Sequence, residues 1–340
     1  MSFVDRPGTR DRMACQHGKP ERIDILSEKS CSAAKKTSIG GQALIEGVMM
    51  RGPFTSAMAI RKPDGELYLE TWETGANKWY NKTPILRGIC NFIAMLITGY
   101  KCLMKSAEIS GFAEEEGSEP SKFDAWVDKH LGDSAVYIFN VIVTVLAMAI
   151  AIGLFMLLPA ALVKWVGGMA ALPNMALSLI EGLIKIAVFI LYLYAVTRMK
   201  DIRRVFEFHG AEHKTIACYE AGDELTPENA KKYTRFHPRC GTSFLLIVLV
   251  VSIFVFSVLS WENVWLRVGL KILLLPVVVG LSYEVIRFAG RHDNPFTRAI
   301  SAPGLWLQNL TTFEPDEVQL SVAIAAMKPC IPEDKNADNY

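Results

Sequence analysis

The sequence predicts an α-helical polytopic membrane protein with about four transmembrane helices and a small N-terminal α+β cytoplasmic part that contains a β-hairpin. Its 340 residues are 51% apolar and 21% charged, which is a balance typical of membrane proteins. The apolar residues are gathered into runs near or above the roughly 20 residues that a helix needs to cross a bilayer. A glycine-rich stretch and a turn signal precede those runs.

The N-terminal third contains no long apolar run. Residues 1–36 mix charged and small residues without periodicity, which predicts a disordered tail. Residues 37–112 form the β-containing part, which ends in an uncharged run of 13 residues at 88–100. That run is too short to predict a span and favours an interfacial or re-entrant helix. An acidic linker at 113–133 follows.

Two patterns stand out within 37–112. The stretch IGGQALIEGVMMRGP at 39–53 lacks the spacing of a phosphate-binding loop. Its glycines predict tight turns or close backbone approach, with Glu46 and Arg51 directed at a site or at each other. Farther on, Pro63-Asp64-Gly65 separates two strand-like runs and predicts a hairpin.

The membrane domain is predicted at 134–290. The first and third spans contain no charged residue. The second contains Glu181 and Lys185, which can neutralise each other across one helical turn. The fourth has Lys271 and Arg287 near its ends, where they can snorkel. The four predicted spans are 134–163, 172–197, 242–261 and 265–288.

Positive charge indicates the orientation. The 198–241 loop between the second and third spans has nine basic residues, whereas the alternate loops hold only Lys164 and Arg267. The loop and both termini are therefore expected to face the cytoplasm. Orientation explains this charge without a nucleic-acid partner. The nine residues are Arg198, Lys200, Arg203, Arg204, Lys214, Lys231, Lys232, Arg235 and Arg239.

The same loop contains a set of metal-ligand residue types. His209, Glu212 and His213 read H-x-x-E-H, and His237 and Cys240 read H-x-x-C beginning 24 residues (237 minus 213) farther on. Residues four apart on a helix share a face, so both imidazoles of the first motif can reach one ion. The pattern is the inverse of the H-E-x-x-H zinc site. Nitrogen and thiolate donors favour zinc over magnesium or calcium.

The local pattern predicts where these motifs lie. Gly210 is the one potential helix breaker between residues 197 and 218, so the first motif is expected on an extension of the second span. Gly222 ends that helix, and Thr226-Pro227 opens a short one. Residues 291–340 are predicted to form a cytoplasmic C-terminal tail. Its helix begins near Asp316, is amphipathic through Val318, Val322 and Ala325, and is expected to serve packing or interfacial anchoring.

Three functions fit these residues. With three protein ligands, Glu212 can serve as general base of a zinc-dependent hydrolase. The third ligand is then His237, Cys240 or Glu284, unless Glu284 pairs with Arg287 or Lys185. Its substrate would be a peptide bond in a membrane protein or a lipid-linked ester or amide.

With four protein ligands the shell is full, and the protein is a scaffold or regulator with a structural zinc. An interpretation without a metal is that these residues are hydrogen-bonded core residues with a reduced structural thiol. A transporter using Glu181, Lys185 and Glu284 is less favoured, because the chain shows no internal repeat and would need a homo-oligomer to supply symmetry.

The chain resembles the YqhQ-like family of bacterial membrane proteins. The resemblance extends over about residues 37–328 and rests on IGGQALIEGVMMRGP, FHGAEHKTIACYEAG, HPRCGTSFLL and APGLWLQNLTTFEPDE. It implies a metal-dependent enzyme, without implying a substrate. By that similarity the metal-site positions are His209, Glu212, His213, His237 and Cys240, with Glu46 and Arg51 in the other motif.

Overall fold

The computed structural model describes residues 36–75, 79–112, 142–167, 173–259, 263–292, 294–334 and 337–338. Within these ranges the protein is mostly helical, with one four-stranded antiparallel sheet near the N-terminus. The predicted tail, except for its last residue, and the predicted acidic linker lie outside the described residues. The β-containing part, apart from residues 76–78, and the described residues of the later elements can be compared with the prediction.

The sheet has the strand order β1-β2-β3-β4, with neighbours in the sequence paired side by side. Its two outer hairpins turn at Ile45-Glu46 and at the predicted Pro63-Asp64-Gly65, where Gly65 adopts a positive φ of 87°. Glycine accepts this conformation without a steric penalty, so the predicted hairpin is confirmed. The strands are β1 (Gly40–Leu44), β2 (Gly47–Arg51), β3 (Thr55–Arg61) and β4 (Leu67–Glu73).

Nine helices account for most of the remaining described residues. Four of them are long and apolar enough to cross a membrane: α1, α2, α3 and α7. The helices are α1 (Leu86–Ile109), α2 (Ile142–Trp165, with a π-helical stretch at Gly153–Leu157), α3 (Asn174–Val196), α4 (Lys200–Ala221), α5 (Pro227–Ala230), α6 (Gly241–Phe256), α7 (Val264–Arg291), α8 (Pro295–Thr311) and α9 (Glu317–Met327).

Among the described residues the number of long apolar helices equals the predicted number of spans, but one of the four helices is not a predicted span. α2, α3 and α7 coincide with the first, second and fourth predicted spans. α6 has 16 residues, or about 24 Å at 1.5 Å per residue, which is less than the roughly 30 Å of a hydrocarbon core. α1 has 24 residues, almost twice the length of the uncharged run from which a short helix was predicted.

The sheet is covered on both faces, because its side chains alternate between them. Val48, Ala57 and Ala59 face a core made with α4 and α9. Met49 and Met58 face the opposite way, against the second half of α1. The sheet is therefore a middle layer between α1 on one side and the helix that carries H-x-x-E-H on the other.

α9 packs into the core, which confirms packing rather than interfacial anchoring as its role, although its apolar residues differ from the predicted stripe. Leu320, Ala323 and Met327 are fully buried between the sheet and α4, whereas Val318, which was assigned to the apolar stripe, is 45% exposed. A helix that is apolar on nearly all sides is suited to a core rather than to a surface. The segment after residue 291 is thus an integral part of the fold.

The H-x-x-E-H helix is separate from α3, which also corrects the prediction. Residues 197–199 form a turn, and the N-cap of α4, Met199, has extended backbone angles. The other local predictions are confirmed: Gly222 ends α4 with a φ of 78°, and Thr226 caps α5 by accepting a hydrogen bond from the Asn229 amide. The turn allows α4 to leave the direction of α3 and pack on the sheet.

A buried ionic cluster joins the apolar helices. Glu181 in α3 accepts hydrogen bonds from Arg267 and Lys271 in α7, and it pairs with Lys185 at 3.1 Å. The predicted pair of Glu181 and Lys185 is confirmed. Lys271 is fully buried rather than snorkelling, and Arg267 is a buried helix residue rather than a loop residue. Buried charges with partners destabilise a protein far less than isolated ones. Removing Glu181 would therefore leave three buried cations without their carboxylate partner.

Close packing at Gly210 yields a test of the fold. A methyl group at this position would clash with the carbonyl oxygen of Phe313, because the segment before α9 crosses α4 there. We expect Gly210→Ala to lower the free energy of unfolding by about 1–3 kcal/mol, the usual cost of overpacking.

Thermal or denaturant unfolding of the purified protein in detergent measures this change. Gly269→Ala is the control, since a methyl group there meets no atom within 4 Å. Equal unfolding midpoints for the two variants would contradict the packing described for α4.

Candidate metal centre

Three chain segments meet at one buried site. α4 contributes His209, Glu212 and His213, and the turn that enters α6 contributes Cys240. The potential ligand atoms of His209, His213 and Cys240 all lie within 4.8 Å of one another. The end of α8 forms the third side. The structure therefore brings together both predicted motifs.

The two imidazoles are held by backbone carbonyls. His209 Nδ1 lies 2.7 Å from the Thr311 oxygen, and His213 Nδ1 lies 2.6 Å from the Arg235 oxygen. A carbonyl only accepts hydrogen bonds, so each Nδ1 carries a proton, and Nε2 is the atom that can offer a lone pair. Metal-binding histidines commonly have this outer hydrogen bond.

Cys240 is placed to be a thiolate. It lies at the N-cap of α6, where its Sγ accepts a hydrogen bond from the Thr242 amide and lies 3.1 Å from His209 Nε2. Burial opposes its ionisation, but the electrostatic influence of the adjacent His209 and His213 imidazoles holds the pKa of Cys240 well below its usual range. Conversely, burial disfavours the charged imidazole of His209, while the thiolate raises its pKa to about 9. Metal binding would displace the proton that lies between Cys240 Sγ and His209 Nε2.

Glu212 lies beside these donors and is 5% exposed. Its Oε1 accepts a hydrogen bond of 3.0 Å from the amide of Gly41 in β1. A methyl group on Gly41 would approach the Glu212 carboxyl carbon at 3.0 Å and the Met50 sulfur at 2.9 Å. Glycine at this position thus gives the carboxylate a close backbone donor. Burial raises the pKa of Glu212, while positive charge on His209 and His213 opposes the shift.

His237 is adjacent to the three-donor cluster but is not one of its members. Its ring centroid is 5.5 Å from that of His213, and its Nε2 lies 3.4 Å from an Arg239 guanidinium nitrogen. Burial and then the charges of His213 and Arg239 hold the pKa of His237 well below its usual range. An arginine can only donate, so this Nε2 accepts a hydrogen bond and its lone pair is directed at Arg239. The arrangement has three donors with a neutral imidazole next to them.

Two of the three other candidate residues, Glu46 and Glu284, have structural partners. Glu46 forms a bidentate ion pair with Arg204 of α4, rather than with Arg51, which is exposed at the end of β2. Glu284 forms one with Arg87 of α1 and also accepts a hydrogen bond from the Ile85 amide. Neither predicted partner of Glu284, Arg287 or Lys185, forms this ion pair. These acids join elements of the fold and do not enter the three-donor cluster.

Sequence reasoning missed the part played by α8. The buried Gln308 accepts a hydrogen bond from the His237 amide at 2.8 Å and donates to the His237 carbonyl at 2.7 Å. Thr311 supplies the carbonyl that orients His209. Both residues belong to the stretch APGLWLQNLTTFEPDE. Polar residues among the leucines and the tryptophan at 305–311 were the signal, because buried polar groups require partners.

The fold and the site define a helical protein with several membrane-length apolar helices and a candidate His-His-Cys metal centre beside a buried carboxylate. The chain belongs to the family described as "Protein of unknown function (DUF1385)", which matches residues 83–333. It is 36% identical over 291 residues to "Uncharacterized protein YqhQ" of Bacillus subtilis (strain 168), with 84% of this chain and 89% of that protein covered. No solved structure matches. The resemblance inferred from the motifs is thus confirmed.

The donor set can be tested with cobalt(II), which commonly replaces zinc and is coloured. We expect the cobalt-loaded protein to have a thiolate-to-metal charge-transfer band in the near ultraviolet. Cys240→Ser removes this band because it removes the sulfur donor.

Cys218→Ser is the matched control. Cys218 is buried in the same helix as the histidines, and burial raises the pKa of its thiol to about 11. It stays protonated at neutral pH and is a poor ligand. Absorption titration with cobalt measures both variants, and a band that survives Cys240→Ser would exclude Cys240 as a ligand.

Proposed function

We propose that this protein is a zinc-dependent integral membrane enzyme, a hydrolase that works at the cytoplasmic membrane surface. His209, His213 and Cys240 are the metal ligands, and Glu212 is the general base. One observation carries the proposal: three nitrogen and sulfur donors converge within 4.8 Å beside a carboxylate from the same helix.

The chemistry of the donors supports zinc. Two imidazoles and a thiolate suit zinc better than magnesium or calcium. Both histidines have Nδ1 engaged with a carbonyl, which leaves Nε2 as the ligand atom. Within the described part of the chain, the Glu212 carboxylate has no ion pair with lysine or arginine, and its single hydrogen bond comes from Gly41. A dication would balance the thiolate and this buried carboxylate.

The arrangement also supplies what hydrolysis requires. If His209, His213 and Cys240 hold zinc, the ion would supply Lewis acidity and lower the pKa of a water molecule at the site. Glu212 would accept the proton of that water on a carboxylate oxygen. The Gly41 amide fixes the carboxylate, so Glu212 needs little reorganisation to act as a base.

Membrane insertion is supported by α2, α3 and α7, which are long and apolar, and by the basic residues of the 198–241 segment. The positive-inside rule places this segment, and with it the metal centre, on the cytoplasmic side. A metal centre at the cytoplasmic membrane surface would act on a peptide bond of a membrane protein or on a lipid-linked ester or amide.

A structural zinc site is the second candidate, and two observations favour it. His237 is close enough to His213 for its ring to turn toward a shared ion. His213 and Cys240 are at most 4% exposed, and a buried, fully coordinated ion would fasten α4 to α6. In that case the protein would present its sheet to a partner as a scaffold or regulator.

Replacing the base tests the enzyme. We expect Glu212→Gln to reduce turnover by about 10²–10⁴-fold, the usual contribution of a general base, with zinc content and unfolding midpoint unchanged. Product release from lipid and membrane-peptide substrates, followed by mass spectrometry, measures turnover.

Glu207→Gln is the matched control on the same helix, because Glu207 interacts with Gln319 and Arg203 outside the three-donor cluster. Turnover by Glu212→Gln at the level of Glu207→Gln would show that Glu212 is not the base.

The number of ligands separates the two candidates. We expect His237→Ala to leave two nitrogens, one sulfur and one oxygen around the zinc, because His237 already accepts a hydrogen bond from Arg239. Zinc-edge X-ray absorption counts these neighbours. A wild-type shell of three nitrogens and one sulfur that loses one nitrogen in His237→Ala would establish the structural site.

A further inference from the structure

We infer that α1 is a membrane-interfacial helix rather than a span, and that it is the lipid-facing layer over the metal centre. Its partner is the bilayer itself, with acyl chains against one helical face. The inference concerns where α1 lies, so it goes beyond the proposed function and does not depend on catalysis.

One face of α1 is apolar and uncovered. Its residues recur at intervals of three and four, which gives a stripe about 100° wide. Each is between 50% and 65% exposed. Lys101 is exposed at the edge of the stripe, where an ammonium group can reach lipid headgroups. The stripe consists of Ile93, Leu96, Ile97, Tyr100 and Met104.

The opposite face is packed against protein along the helix. Near its start, a methyl group on Gly88 would lie 2.6 Å from Tyr283 Cβ of α7. Near its end, Cys102 packs into the core beneath the sheet, and the Ser106 hydroxyl accepts a hydrogen bond from the Ile45 amide at 3.3 Å. Lys105 adds an ion pair of 2.7 Å with Glu70 of β4.

These contacts are incompatible with a bilayer crossing. The second half of α1 lies on a sheet whose edge strand β4 exposes Glu73 and whose hairpin loop exposes Glu66. If α1 spanned, its second half would carry this sheet into or across the hydrocarbon core, where exposed charges and open strand edges are excluded. With α1 in the interface, the stripe faces lipid and the sheet remains in water.

α1 also contacts two segments that adjoin the metal centre, α6 and β1. The Phe92 ring lies 5.6 Å from that of Phe244, four residues after Cys240. Gly99 packs directly against the side chain of Gln42, the neighbour of Gly41 that holds Glu212. The centre is thus on the inner side of a helix whose outer side is apolar. If the enzyme proposal holds, the substrate is drawn from the bilayer surface.

Depth measurements test the inference. A ketone-bearing amino acid at position 93, 97, 100 or 104, coupled to a nitroxide, reports depth in lipid vesicles through its relative accessibility to oxygen and to a water-soluble nickel complex. We expect all four positions at one shallow depth, about 5–10 Å below the headgroups. A spanning helix would move the label by roughly 16 Å over these eleven residues at 1.5 Å per residue.

Two labelled positions calibrate the scale. Leu67 is exposed on β4 and reports water, whereas Leu273 is 72% exposed on α7 and reports the bilayer interior. A depth that changes steadily from 93 to 104, or four labels as accessible to nickel as Leu67, would overturn the inference.

The same labels in His213→Ala separate this inference from the proposed function. Loss of the metal should leave the four depths unchanged. Shallow depths together with unchanged turnover in Glu212→Gln would reject the enzyme and support the interfacial helix. Depths that change steadily along α1 together with lost turnover in Glu212→Gln would reject the interfacial helix and support the enzyme.

Discussion

The hydrogen bonds from His209 to the Thr311 carbonyl and from His213 to the Arg235 carbonyl tie α4 to α8 and to the segment before α6. Thr311 is the last residue of α8, where carbonyls have no partner within the helix. The imidazoles therefore satisfy buried backbone acceptors and are themselves oriented. The sheet is attached to the same site, because the Gly41 amide of β1 donates a hydrogen bond to Glu212 of α4 and α9 is packed between the sheet and α4.

Buried charge is handled differently at the two ends of the helical part. Glu181 is surrounded by Lys185, Arg267 and Lys271, so it is compensated by protein alone. Glu212 is also buried, and within the described residues it has no lysine or arginine partner, only the Gly41 amide and the neighbouring imidazoles of His209 and His213. A buried carboxylate needs either protonation or a nearby cation. This contrast is the physical reason to look for a metal at the second place and not at the first.

The structure distinguishes the acidic candidate residues by their partners. Glu284 stood among candidate ligands because an acid at membrane depth is unusual. Arg87, nearly 200 residues earlier in the chain, neutralises it. Glu46 similarly pairs with Arg204 instead of its neighbour Arg51. Spacing along the chain gave no indication of either long-range partner.

The sequence by itself determined what depends on neighbours in the chain. The hairpin at Pro63-Asp64-Gly65, the cap at Thr226, the end of α4 at Gly222 and three of the long apolar helices follow from local conformational preference and hydropathy. The grouping of His209 with His213 follows from helical spacing, and the composition of the motifs indicated the family.

Only the tertiary structure decided which distant segments meet. Cys240 lies beside the two histidines, and His237 accepts a hydrogen bond from Arg239. Gly41 donates a hydrogen bond to Glu212, and α9 is buried in the core. The tertiary structure also puts α1 against the sheet. These outcomes depend on close packing and on pairing of buried polar groups across the whole chain, which residue spacing does not encode.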